Sequence, residues 1–141
     1  FKSKDDILAT VMEQTIIYNF ARLKEAAERS NDPEQQLRDL IKAELISITG
    51  DTGAAMAVLV HEWFALSKEK QEYLLKMRNE YEQIWLDVIE KLRAQGKVKH
   101  DAFIWRRLVG GSISWSVTWY NPDGKVKVDE LTEMVWEMAL K

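Results

Sequence analysis

A long run without glycine or proline, from Lys68 to Gln95, constrains the fold of this chain more than any other feature. Its apolar side chains recur every three or four residues, which is the period of one face of an α-helix. Ser67 is placed to cap the first turn, and Gly96 stands where a residue with left-handed backbone commonly ends a helix. The spacing therefore predicts a long helix over 68–95. Its apolar stripe consists of Tyr73, Leu74, Met77, Tyr81, Ile84, Trp85, Val88, Ile89 and Leu92.

The remaining sequence shows the same period, interrupted by short breaks. Only two prolines and six glycines occur in 141 residues, mostly between the periodic runs, which favours an all-helical fold. Ser3, Asp32, Asp101 and Asp129 each stand where a side chain can cap the helix that follows. The third run is small and apolar almost all round, so we expect its helix to be the most buried. The five further helices are predicted over about 4–28, 33–50, 52–66, 101–120 and 129–141.

Length and composition indicate one domain that spans residues 1–141. The chain is 46% hydrophobic and 30% charged, which is enough apolar material for a core. Its net charge of −3 gives no bulk attraction to nucleic acid, which requires clustered Lys and Arg. The absence of cysteine excludes disulfides and thiolate chemistry, and it suits a reducing cytoplasm. No signal peptide is evident, and the longest apolar run, 54–60, is far shorter than the ~20 residues that span a bilayer.

Motifs for catalysis and metal binding are incomplete. The stretch "HEWFA", which starts at His61, lacks the second histidine of the zinc-protease pattern because the fifth residue is Ala65. The other histidine, His100, lies in a predicted linker, and the Glu-x-x-His pairs of a di-metal helical bundle do not occur. No nucleophile elbow or glycine-rich phosphate loop is present. We therefore expect no catalytic residues, no metal and no cofactor.

Two adjacent glycines, Gly110 and Gly111, interrupt the predicted fifth helix. Each costs up to about 1 kcal/mol relative to alanine inside a helix, so each requires a compensating reason. One interpretation is a kink or tight local packing within the monomer. The other is close approach of a helix from a second subunit, and the residues alone leave both open.

Three segments together resemble the TetR family of bacterial transcriptional repressors. They are "FKSKDDILATV" at the start, "HEWFALSKEKQEYLLKMRNEYEQIWLDVIEKLRAQGKV" from His61, and "WSVTWYNPDGKVKVDEL" from Trp115. The first looks like the end of the family's helix-turn-helix domain, with residues 1–8 as its junction with the sensor domain. The other two look like a sensor class found among regulators of fatty-acid and steroid catabolism. The matching residues of the first segment are Phe1, Ser3, Lys4 and Leu8.

The resemblance implies a six-helix sensor and dimerisation domain whose DNA-reading helix-turn-helix domain would precede Phe1 and is absent from this chain. Lys4 matches a position at the domain junction that often touches a DNA phosphate in the intact protein. The last two helices should form a four-helix bundle with their copies in a second subunit, as a homodimer. Obligate interfaces of this kind favour aromatic residues and methionine. The expected interface residues are Leu108, Gly111, Ser112, Trp119, Leu131, Met134, Val135 and Met138.

The resemblance also implies an effector pocket enclosed by the first, third, fourth and fifth helices. Methionine and tryptophan offer adaptable walls for an apolar ligand, although stripes of such residues also form ordinary cores. The resemblance suggests an acyl-CoA thioester, whose phosphates would need cations, for which Arg22, Arg78 and Arg106 are candidates. The expected lining residues are Met12, Ile16, Met56, Leu59, Trp63, Tyr81, Trp85 and Trp115.

The favoured interpretation is a cytoplasmic, effector-binding and dimerising domain of a repressor. Binding of the effector would tilt the first helix and release the intact protein from operator DNA, because a ligand shifts an equilibrium between states that it binds unequally. A purely structural dimerisation module without an effector is the alternative. A small helical enzyme is a third class, and it would require a buried carboxylate pair or a bound metal.

Overall fold

The computed structural model describes residues 3–50 and 53–140, except for the side chains of Asp5, Met56, Val58, Leu59 and Val60. Within these ranges the chain forms six α-helices and two short 3-10 turns, and it contains no strand. The all-helical, six-helix prediction is confirmed. The helices are α1 (Lys4–Glu28), α2 (Pro33–Thr49), α3 (Gly53–His61), α4 (Lys68–Ala94), α5 (Ala102–Trp115) and α6 (Val128–Leu140).

Capping side chains set the starts of four helices, as the sequence predicts, but Asp129 is not a cap, because α6 already begins at Val128 and Asp129 lies in its first turn. Ser3, Asp32, Ser67 and Asp101 each accept a hydrogen bond from a backbone N–H in the first turn of the following helix. Such bonds satisfy amide donors that have no partner within the helix. At the other end of α4, Gly96 has a φ of +75°, in the left-handed region that favours glycine. The predicted span of the long helix is confirmed to within one residue.

Two helices end earlier than their periodicity predicts. The third was expected to continue to Leu66 but ends at His61, and a 3-10 turn over Trp63–Ala65 then brings the Leu66 side chain into the interior. The fifth was expected to reach Tyr120 but ends at Trp115. There the hydroxyls of Ser116 and Thr118 donate to carbonyls three residues back, an alternative to regular helical bonding that their residue types favour.

The main core is built around α2, which contacts each of the other five helices. Ten of its residues are buried, whereas Ala54, Ala57 and His61 of α3 are exposed. The expectation that the third helix is the most buried is therefore wrong. A central helix must present apolar residues on several sides, and α2 does so through Leu37, Leu40, Ile41, Leu45 and Ile48.

A second, smaller cluster lies beside the first half of α1. Met12, Leu66 and Leu74 are buried there, and they bring together α1, the segment after α3 and the start of α4. Leu23 and Ala26, in the second half of α1, belong to the main core instead. The helix α1 is therefore held by two separate apolar clusters along its length.

Candidate functional sites

Helices α5 and α6 expose a set of large apolar side chains. On α5, Leu108 is 72% exposed and Trp115 is 67% exposed, and Trp119, after the 3-10 turn that follows α5, is 59% exposed. On α6, Met138 is 82% exposed and Met134 is about half exposed. Exposed apolar patches of this kind on a soluble protein usually mark a surface that another molecule covers. We refer to Ile104, Leu108, Gly111, Trp115, Trp119, Met134 and Met138 together as the α5–α6 face.

The two glycines of α5 serve different purposes. A β-carbon at Gly110 would lie 2.5 Å from Nη1 of Arg106, so this glycine makes room for a guanidinium within the protomer. A β-carbon at Gly111 would meet no heavy atom within 4 Å. Gly110 therefore fits the first interpretation, tight local packing within the monomer. Gly111 is open to solvent on the α5–α6 face, and the second interpretation, close approach of a partner helix, stays a prediction for it.

The residues expected at a dimer interface fall into two groups. Leu108, Gly111, Ser112, Trp119, Met134 and Met138 are all exposed. Leu131, by contrast, is buried in the main core, and Val135 is partly buried against it. Leu131 already has its contacts within the protomer because it lies on the side of α6 that faces α2. The exposed Ile104, which the sequence analysis did not single out, joins the first group.

The residues expected to line an effector pocket lie in three places. Met12, Ile16 and Trp63 meet in or against the second cluster. Tyr81 and Trp85 lie farther along α4, against the main core. Trp115 is exposed on the α5–α6 face and is not among the residues packed in or against either cluster. The side chains of Met56 and Leu59, on α3, lie outside the described residues.

A buried ionic network joins α2, α4 and α5. The guanidinium of Arg106 donates to both carboxylate oxygens of Glu44, at 2.7 and 3.0 Å, and to both of Glu82, at 2.7 and 3.0 Å. Its Cζ also lies 4.2 Å from the centroid of the Trp85 ring. Burial would lower the pKa of Arg106, but the two carboxylates outweigh it and raise the pKa above its ordinary value. Arg106 is therefore a fixed structural cation.

Tyr81 extends this network. Its hydroxyl donates to Oε1 of Glu44 at 2.9 Å. Burial, followed by the negative charge of Glu44, raises the pKa of Tyr81 well above 10.0. The indole Nε1 of the neighbouring Trp85 is buried without a hydrogen bond of normal geometry among the described residues. One sequence signal pointed to this network: Glu44 interrupts the apolar stripe of α2, where a lone carboxylate requires a buried partner.

Two grooves open on the surface between helices. One, of about 390 Å³, lies between α1 and α2 and is lined by Tyr18, Arg22 and Lys42, among others. Arg22 stacks on the ring of Tyr18 and donates to the hydroxyl of Ser47. The other, of about 620 Å³, lies between α4 and α5 and contains Arg78 and Arg106. Three arginines, Arg22, Arg78 and Arg106, were expected as candidate cations for the effector. Of these, Arg106 is already paired with the carboxylates of Glu44 and Glu82.

Lys4 is exposed at the first residue of α1, directly after the capping Ser3. Polar contacts tie the first half of α1 to α4. Lys70 forms an ion pair with Asp6, and the hydroxyl of Tyr73 donates to Glu13 at 2.9 Å. A displacement of α1 relative to α4 would therefore break polar contacts as well as apolar ones.

Ligating side chains for a metal do not cluster in the part of the chain that the structure describes. In the same ranges, none of the helices combines the length and the apolar character needed to cross a membrane.

Comparison with known proteins places these features in a family. The family described as "Tetracyclin repressor-like, C-terminal domain" matches residues 30–141. The HTH-type transcriptional repressor KstR2 of Mycolicibacterium smegmatis is 23% identical over 143 aligned positions, which cover 99% of this chain and 69% of KstR2.

Two crystal structures share the fold closely. That of superantigen PfiT is 45% identical, with a TM-score of 0.89, and the match covers 100% of this chain and 75% of PfiT. That of AibR, in complex with isovaleryl coenzyme A and operator DNA, is 17% identical, with a TM-score of 0.85, and the match covers 99% of this chain and 76% of AibR. The second likeness concerns the fold alone.

Proposed function

Because the chain belongs to the TetR family of transcriptional regulators, as a C-terminal regulatory domain, we propose that residues 1–141 bind an effector and form a homodimer. Proteins of this family are regulators without enzymatic activity, and they act as dimers that bind small-molecule effectors and operator DNA. In the proposal, an apolar effector releases the intact, cytoplasmic protein from its operator. A helix-turn-helix domain outside residues 1–141 would read the DNA, with Lys4 contacting a phosphate at the junction.

The exposed α5–α6 face is the observation that carries the proposal. Its members are large apolar side chains that one protomer leaves in contact with water, and burying them against a second copy would be favourable by about 25 cal/mol per Å². Gly111 supports the same conclusion because its open side would let a partner helix approach closely. Trp115 is assigned to this face rather than to the pocket, and Leu131 is left out of it.

Sedimentation velocity tests the dimer. We expect a single species with twice the mass of the chain at micromolar concentration, with no detectable monomer. A stable monomer under these conditions would remove both the dimer and the role of the α5–α6 face.

The second cluster is the proposed site for the apolar part of the effector. Met12, Ile16 and Trp63 supply it with flexible or polarisable side chains, and α3, which contacts α1, carries Met56 and Leu59, whose side chains lie outside the described residues. Tyr81 and Trp85, which lie in or against the main core, are left out of this site. The complex of AibR, a protein of the same fold, with isovaleryl coenzyme A supports an acyl-CoA thioester as the effector class.

Calorimetric titration with acyl-CoA thioesters of several chain lengths tests the effector. We expect binding that strengthens with chain length, because each buried methylene contributes about 0.8 kcal/mol. Trp63→Ala should weaken binding, and Phe64→Ala, at the neighbouring exposed residue, should leave it unchanged. Heats no larger than those of dilution for every thioester would eliminate this class and favour the alternative, a dimerisation module without an effector.

The link to DNA release runs through α1. A ligand in the second cluster would lie directly against the first half of this helix, where the ion pair of Lys70 with Asp6 and the hydrogen bond of Tyr73 with Glu13 join α1 to α4. Wedging these elements apart would tilt α1 and shift the reading heads that precede it. By linkage, effector and operator should then weaken each other's binding to the intact protein by the same factor.

A further inference from the structure

The groove between α4 and α5 is a second place where a small molecule could bind. Its volume of about 620 Å³ lies within the range of small-molecule sites. Leu75 and Leu86 of α4 and Phe103 of α5 supply apolar walls. On α5 the groove residues Phe103 and Arg107 lie on a different side of the helix from Leu108 and Trp115, whereas Gly111 lines the groove and also belongs to the α5–α6 face, so the groove borders that face.

The charge of the groove is opposite to that of the chain. Its lining contains three arginines and one glutamate, and with Glu44, which pairs with Arg106 from the side of α2, the group has a net charge of +1, whereas the whole chain carries −3. A cationic concavity in an acidic protein attracts anions locally and raises their concentration near the site. The charge of the lining therefore indicates the sign of the ligand.

Two of these arginines are available to a ligand. Arg106 is held by Glu44 and Glu82, and Glu82 is in turn occupied on both oxygens. Arg78 and Arg107, in contrast, form no ion pair with a carboxylate among the described residues, and Arg107 instead lies 3.4 Å from the centroid of the Phe103 ring. A guanidinium presents a fixed fork of donors that matches the oxygens of a phosphate. The groove thus combines two such forks with a flat aromatic wall.

We propose that the α4–α5 groove binds the phosphate-bearing part of a small organic ligand, with Arg78 and Arg107 as its anion-binding residues. The inference deepens the proposed function and rests on it in one respect: the phosphate-bearing part is assigned to the same effector whose apolar part enters the second cluster. Arg106, fixed by its two carboxylates, keeps the groove open and does not contact the ligand.

Calorimetric titration of three probes separates the two ends of the ligand. Coenzyme A carries the phosphates without an acyl chain, and decanoate carries an acyl chain and a carboxylate without phosphates. Decanoyl-coenzyme A carries both the acyl chain and the phosphates. Each probe is titrated into the wild type, Arg78→Ala, Arg107→Ala and the control Arg93→Ala. Arg93 is an exposed arginine near the end of α4 whose partner is Glu90, away from the groove.

We expect Arg78→Ala and Arg107→Ala each to weaken coenzyme A and decanoyl-coenzyme A by at least about tenfold, as the loss of a charge-assisted hydrogen bond implies. Decanoate should bind both variants as it binds the wild type, and Arg93→Ala should change none of the affinities. Sedimentation velocity should show the same oligomer in all four proteins, since the substituted side chains lie off the α5–α6 face.

The remaining outcomes are decisive in different ways. Unchanged affinity of decanoyl-coenzyme A in both variants would overturn the groove site while leaving the proposed effector class intact. Binding of coenzyme A that depends on Arg78 but gains nothing from the acyl chain would support the groove and contradict an apolar effector. Failure of coenzyme A and decanoyl-coenzyme A to bind the wild type, or an equal loss of decanoate affinity in the variants, would overturn the assignment to phosphate.

Discussion

Gly110 permits the ionic network because the space of its missing side chain is filled by the guanidinium of Arg106. That guanidinium cannot move aside without stretching its bonds to Glu44 and Glu82. We expect Gly110→Ala to lower the free energy of unfolding by about 1–3 kcal/mol, although alanine alone would favour the helix by about 1 kcal/mol. Urea denaturation at fixed protein concentration measures this difference.

A double-mutant cycle provides the control for Gly110. In an Arg106→Met background the guanidinium is gone, so the added methyl group should no longer destabilise the protein. Equal losses from Gly110→Ala in both backgrounds would mean that the glycine has some other role.

Tyr81 should make stability depend on alkaline pH. Its folded pKa lies well above 10.0, its ordinary value, because of burial and then the charge of Glu44. A raised pKa means that the contribution of the neutral phenol is fully present below pH 10 and is lost as the pH rises from there towards the folded pKa. Wild-type stability should therefore fall more steeply above pH 10 than that of Tyr81→Phe. Urea midpoints at a series of pH values measure both slopes, and parallel slopes would contradict the prediction.

Individual residues show where sequence reasoning stops. The cap at Ser3 and the left-handed Gly96 are local features, and their neighbours in sequence were enough to predict them. The partners of Arg106 lie 24 and 62 positions away. Glu44 in the apolar stripe of α2 signals that a buried partner is needed, but which residue meets it depends on packing that no local pattern encodes. The exposure of Trp115 was missed for the same reason, since an amphipathic stripe does not say which neighbour will cover each residue.

Helix α5 presents one side to the main core, one to the α5–α6 face and one to the α4–α5 groove. The position of its first turn sets the orientation of all three sides. Asp101 caps that start by accepting the N–H of Ile104 at 3.1 Å. Asp101→Ala should cost about 1 kcal/mol of stability, whereas Asp101→Asn should retain most of it because asparagine caps helices equally well. Thermal denaturation of the three proteins measures the effect. Similar losses for both substitutions would show that the charge, and not the cap, matters at this position.

Helix starts were easier to predict than helix ends. A helix start is favoured by a side chain that accepts a hydrogen bond from a backbone N–H, and residues of this type, such as Asp32 and Ser67, can be recognised in the sequence. The end of α3 instead depends on the apolar contacts of Leu66. The end of α5 depends on the hydrogen bonds that the hydroxyls of Ser116 and Thr118 donate to backbone carbonyls. These choices are made by the folded interior, and periodicity alone extends each helix by several residues.

The dimer can be tested with a matched pair of substitutions in the whole molecule. Leu108 lies on the α5–α6 face, and Phe64, which is even more exposed, lies on the 3-10 turn after α3. Leu108→Glu should weaken the dimer by at least about 100-fold, because a charge would be buried at the centre of the contact. Phe64→Glu makes a similar change elsewhere and should leave the dimer intact. Sedimentation velocity over a range of concentrations compares the two, and equal effects would remove the α5–α6 face as the interface.

The family and the six-helix order followed from sequence because they depend on patterns that run through most of the chain. Which helix is central and which has an exposed side did not follow from the sequence. Nothing in the periodicity distinguishes α2, which is surrounded, from α3, which has an exposed side. Likewise, the groove with Arg78 and Arg107 arises only when α4 and α5 lie side by side.

The attachment of α1 to two separate clusters makes it a lever. Leu23 and Ala26, locked into the main core, act as the fulcrum, and the smaller cluster around Met12 holds the arm. From Leu23 to Lys4 the arm is about 28 Å long, at 1.5 Å of rise per residue. A rotation of only about 10° about the fulcrum therefore carries Lys4 through about 5 Å. A modest swelling beneath the arm is thus magnified at the end of the helix where the preceding domain would be attached.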